Sequence, residues 1–145
     1  MNIIHSTTSQ KLSHLVLRVL GSGIFLLAGI SHLTEPARTA ARLEEAPFGF
    51  LATSLASAEL LVILSGVALL GGGILFLTGF KTRFAALLLA LVLIPITLTV
   101  QISVQSLGPL FKNIAIMGIL IYFIVNGAAA YSVDAFLDGR KAMND

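Results

Sequence analysis

With 145 residues, 57% of them hydrophobic and 11% charged, the chain is one domain long but too poor in charge to cover itself in water; soluble domains carry about 25% charged residues. Its net charge of +2 is dispersed, with no basic run among aromatics, so nucleic-acid binding is excluded. The absence of cysteine excludes disulfides, thiolate metal sites, iron–sulfur clusters and thiol-based quinone chemistry carried by this chain.

Taken in order, Met1 to Ser13 is polar and reads as a short tail. Leu15 to Leu33 is apolar over a helix's length and broken once, by Arg18. It is too long for the h-region of a cleaved signal peptide, so a retained span is expected. Thr34 to Thr53 is the one extended polar interval. Pro36 suits a first helical turn, Arg38, Arg42 and Glu45 share a helical face, and Pro47 with Gly49 stops it. A short amphipathic helix at the membrane surface is expected, with a plain connecting loop as the alternative.

Leu60–Phe80, Phe84–Phe111 and Ile114–Val133 are three further runs without a charged side chain. Each reaches the roughly 20 residues that cross about 30 Å of hydrocarbon. The expected spans are 15–33, 54–80, 83–105 and 111–132, with an outer segment over 34–53 and a polar tail over 133–145. The turn Lys81-Thr82-Arg83 and the link from Gln105 to Asn113 are short enough to make neighbouring helices antiparallel. The fold class is all-α: a polytopic membrane protein, an up-down bundle of four transmembrane helices with an amphipathic segment between the first and second.

Lys11, Arg18, Lys81, Arg83, Arg140 and Lys141 fall on one face, against Arg38, Arg42 and Lys112 on the other. This bias places both termini in the cytoplasm, in a bacterial cytoplasmic (inner) membrane. Gly21, Gly23, Ala28, Gly29, Gly66 and Gly71-Gly72-Gly73 mark expected helix contacts. Pro95 should kink the third span, with Thr97 and Thr99 partly re-satisfying the backbone.

Ionisable side chains at membrane depth are expensive unless paired or wetted, and so mark candidate sites. On one side Glu59, His32, Lys112, Asn113, Gln101 and Gln105 come from all four spans and form a candidate buried polar site. On the other side Arg18 and Asn126 lie at similar depth and form a second candidate, with snorkelling of Arg18 as the alternative. The first cluster reads either as a structural network or as a place for a quinone headgroup. One histidine and one carboxylate are too few for a metal, and no covalent cofactor is expected. Gly21-Ser22-Gly23 lies inside a membrane helix and is no nucleotide loop.

Arg18, Gly21, Phe25, Gly29, His32-Leu33 and Pro36, followed by Glu59-Leu60, Gly66 and Leu69-Leu70-Gly71, resemble the DoxX-like family of small membrane proteins. The turn Thr82-Arg83 with Ala85-Ala86, and the later Lys112-Asn113-Ile114-Ala115, extend the resemblance to nearly the whole chain. It implies a four-helix membrane bundle, and relatives include a subunit of a thiosulfate:quinone oxidoreductase. The positions matching the family's charged and polar sites are Arg18, His32, Glu59, Arg83, Lys112 and Asn113, although position 32 is lysine in many relatives. Two readings follow: a membrane subunit of a quinone-linked oxidoreductase complex, needing a partner protein, or a non-catalytic anchor or assembly factor. A small transporter is a third.

Overall fold

The computed structural model describes residues 8–102, 107–128 and 131–141, and within them every regular element is helical. In chain order these are α1 (Thr8–Thr34), α2 (Pro36–Glu45), α3 (Phe50–Thr53), α4 (Ala58–Thr78), α5 (Thr82–Ile96) with a π-helical continuation (Thr97–Gln101), α6 (Leu107–Asn126) and α7 (Val133–Lys141). α1, α4, α5 with its π-helical turn, and α6 are each long and apolar enough to cross a membrane. Their outward faces need a bilayer: Leu20, Leu27 and Val125 are 74%, 71% and 66% exposed. The protein is an all-α polytopic membrane protein.

Packing runs in sequence, α1 on α4, α4 on α5 and α5 on α6, while α6 barely touches α1. Small residues set the closest approach. A Cβ built on Gly29 would stand 2.7 Å from the Leu70 backbone nitrogen, and one on Gly66 would stand 2.9 Å from the His32 Cβ. Gly73 and Gly72 likewise admit Leu26 and Leu89. Gly23 and Gly71 face open space instead and are not helix contacts. The core closes around Phe76, Leu89, Leu120 and Phe123, all fully buried, with the Phe76 and Phe123 rings edge-on at 4.9 Å.

Pro95 offers no N–H to the turn before it, yet the helix continues. It widens into the π-helical turn, and the Thr97 and Thr99 hydroxyls donate to the Leu93 and Pro95 carbonyls at 2.7 and 2.8 Å. Boundaries shift elsewhere for local reasons. α1 already starts at Thr8, within the polar stretch. Gly108 and Pro109 sit in the first turn of α6, where proline is tolerated. The tail is helical over α7.

Candidate functional site

At the end of the bundle away from the termini, α2 lies across α4 and α1. Its buried Ala40 and Leu43 pack on Ala58 and Val62, fixing it as a lid over the start of α4. Beneath it is a pocket of about 460 Å³ between α1, α2, α4 and α5. Leu61, Val62, Leu64, Leu91, Val92 and Val100 supply apolar walls, and His32, Ser65, Thr99, Gln101, Thr39 and Arg42 supply polar groups. Leu64 and Leu91 are 57% and 58% exposed on the lipid side, so the pocket borders hydrocarbon.

The His32 ring is held by one contact. Its Nδ1 lies 2.8 Å from the Ser65 Oγ, and the Ser65 hydroxyl donates to the Val62 carbonyl at 2.8 Å. Ser65 has a single proton, so with that proton on Val62 it must accept from Nδ1–H. Nε2 is then left for whatever occupies the pocket. Gly66 makes this possible, since any side chain there would push α4 off the His32 Cβ.

The structure does not gather the expected polar cluster into one site. His32 and Gln101 line the pocket. Asn113 is buried elsewhere, its Nδ2 donating to the Thr97 Oγ1 at 3.0 Å, where it ties α6 to the π-helical turn. Glu59 is exposed in the first turn of α4, with no hydrogen bond or ion pair among the described residues, so it joins neither His32 nor Lys112. A carboxylate there faces the positive end of the helix dipole and needs no buried cation. Lys112 is also exposed, and Gln105 lies outside the described residues. Ser65, Thr99, Thr39 and Arg42 were not anticipated as lining residues. A lone serine or threonine in a membrane helix reads as a small packing residue.

At the termini end Arg18 is 2% exposed, so it does not snorkel. Its expected partner Asn126 is turned away, donating to the Tyr122 carbonyl of its own helix at 2.8 Å. Arg18 instead donates from Nη2 to the Tyr131 carbonyl at 2.6 Å, and its Nε is buried without a partner among the described residues. The guanidinium lies on Gly79, where a Cβ would meet it at 2.7 Å; with φ +69 this residue ends α4 in a left-handed turn that suits glycine.

Beside it, Asp134 of α7 caps α5 from a distance. Its carboxylate accepts from the Lys81 and Thr82 N–H groups at 2.7 and 2.9 Å and from the Thr82 hydroxyl at 2.8 Å. Burial acts to raise the Asp134 pKa. The Thr82 and Lys81 hydrogen bonds, with the Arg18 charge, outweigh it and hold the carboxyl below its ordinary value. Arg18, Gly79, Thr82, Tyr131 and Asp134 thus tie α1, α4, α5 and α7 into one polar knot. Every polar atom used faces another element of the chain, which makes the knot structural.

No curated protein and no solved structure gives a significant match. The family model described as DoxX matches residues 13–102, well over half of the chain and the stretch that carries α1, the α2 lid, the pocket and the π-helical turn. With four helices long and apolar enough to cross a membrane among the described residues, and with that match, the chain belongs to the DoxX family.

Proposed function

We propose that the chain is the membrane subunit of a quinone-linked oxidoreductase complex, with the pocket under α2 as the site of the quinone headgroup. One observation carries this reading: an apolar-walled pocket at the hydrocarbon edge presents a histidine whose Nδ1 is fixed and whose Nε2 has no partner among the described residues. Its volume of about 460 Å³ suits a small ligand, ligand pockets measuring about 300–1,000 Å³. The lipid-exposed Leu64 and Leu91 let an isoprenoid tail remain in the bilayer while the ring enters sideways.

Within this reading the bound quinone supplies the electron and proton chemistry, and the chain's own residues orient it. With the proton on Nδ1, the Nε2 of neutral His32 would accept a hydrogen bond from a hydroxyl of the reduced (quinol) ring and could take up that proton as the ring is oxidised. Arg42 and Thr39 of the lid, with Gln101 and Thr99, give the second oxygen polar company, and α2 keeps bulk water out. Electrons must arrive from another protein, because the chain has no cysteine and no group of described residues able to ligate a metal ion. The competing reading, a non-catalytic anchor or assembly factor, needs no ligand in the pocket.

The test is mass spectrometry of protein purified in mild detergent. Quinone or quinol should copurify with the parent together with a partner at fixed ratio, and His32→Leu should lower the affinity for quinol roughly tenfold, as for one hydrogen bond. A parent free of quinone, or a variant that retains it undiminished, would favour the anchor reading. We further propose that both termini lie in the bacterial cytoplasm, supported by the Lys and Arg bias between the faces. In this cysteine-free chain an impermeant thiol reagent on intact spheroplasts should label Glu44→Cys and spare Gly139→Cys, both exposed positions. Labelling in the reverse order would invert the topology.

A further inference from the structure

The polar knot borders a feature it does not use. Between the α4–α5 turn, the end of α6 and α7 lies an open cleft of about 640 Å³, and Lys81, Arg83, Asn126 and Asp138 all line it. It sits where α5 begins and α6 ends, at one end of two of the membrane-length helices.

Its charges are of both signs and are kept apart. The ion pair formed among the described residues is Arg38 with Glu35, at the other end of the molecule. Lys81, Arg83 and Asp138 are exposed and not bonded to one another. Asp134 also lines the cleft, but its carboxylate is turned to the start of α5 and towards the Arg18 charge, and it forms no ion pair with Lys81 or Arg83 among the described residues. Arg83 is nonetheless held in place. Its side chain lies on Gly127, where a Cβ would come within 3.3 Å of Nε, and the φ of +67 at Gly127 makes that bare surface available. Below the cleft Phe84, Leu87 and Leu91 are exposed in one stripe down the lipid-facing side of α5.

We propose that this cleft binds one phospholipid with an amine-bearing zwitterionic headgroup, of the phosphatidylethanolamine type. The phosphate lies between Lys81 and Arg83, the ammonium donates to the Asp138 carboxylate, and an acyl chain follows Phe84, Leu87 and Leu91. A purely anionic headgroup would leave Asp138 opposed to it. A choline headgroup brings a positive charge without an N–H to donate. The separation of unpaired cations from an unpaired carboxylate in one cleft is the complement of a zwitterion.

The test is native mass spectrometry and thermal unfolding of the detergent-purified full chain, titrated separately with three lipids of identical acyl chains. These are phosphatidylethanolamine, phosphatidylcholine and phosphatidylglycerol. Phosphatidylethanolamine should be retained at one per chain and raise the melting temperature most. Arg83→Gln should weaken it roughly tenfold, the scale of one charge-assisted contact, while leaving the lipid-free melting temperature unchanged. Asp138→Asn should abolish the preference over phosphatidylcholine and improve binding of phosphatidylglycerol. Three lipids binding the parent alike would overturn the proposal, as would phosphatidylglycerol binding it best. Equal protection by soluble glycerophosphoethanolamine would overturn the lipid assignment, since the acyl stripe would then contribute nothing.

Discussion

The contact between α1 and α4 can be tested by adding a single methyl group. A Cβ at Gly29 would stand 2.7 Å from the Leu70 nitrogen and 3.0 Å from the Leu70 Cα and Cβ. Non-bonded carbon needs about 3.5–4.0 Å, so α1 must lift off α4 by about 0.5–1 Å. The obstacle is largely backbone, and no change of rotamer relieves it. Overpacking of this kind costs about 1–3 kcal/mol, against a gain of up to about 1 kcal/mol in helix propensity for glycine to alanine. Gly71 isolates the two terms, because a Cβ there meets nothing within 4 Å. Both variants share the propensity gain and only Gly29→Ala carries the clash. Unfolding free energies from detergent titration should therefore place Gly29→Ala below Gly71→Ala by about 1–3 kcal/mol. Values agreeing within about 0.5 kcal/mol, the usual effect of a surface change, would refute the close approach of α1 and α4.

Two further outcomes are expected. The Asp134 carboxyl is held below its ordinary value of 3.8, so its contribution is complete above that pH and is lost as pH falls through the lower folded value. Melting curves taken from about pH 6 to about pH 3 should fall more steeply for the parent than for Asp134→Asn, and parallel curves would discount the cap. Glu59→Leu should change stability by less than about 1 kcal/mol, the scale of a charge at a helix N-terminus, and a loss above about 3 kcal/mol would reveal a buried cation partner.

The four spans were legible because a bilayer demands length and continuous apolarity, and both are written locally. The site was legible only in part. His32 stood out as an ionisable group at membrane depth, and it does line the pocket. Glu59 stood out for the same reason, yet it is exposed. Counting residues along α4 gives depth and says nothing of rotation about the axis. That helix is apolar on every side, so its pattern carries no inward face. Ser65 was silent because its role exists only once Gly66 brings His32 against it. The partner of Arg18 was hidden by sequence distance: Tyr131 lies 113 residues away, and no local pattern reports such a contact.

That long reach bears on how the protein is made. A ribosome delivers α1 well before Asp134, which follows all four spans. Until the tail emerges, the start of α5 has no cap from Asp134, and the buried Arg18 has no Tyr131 carbonyl to bond. The nascent bundle therefore leaves one end unfastened while the four spans insert, and the closing stitch joins α1 to residues made after all four of them. A chain truncated after α6 would keep all four spans and lose that stitch, so the ends of α1 and α5 are secured only once α7 has been made.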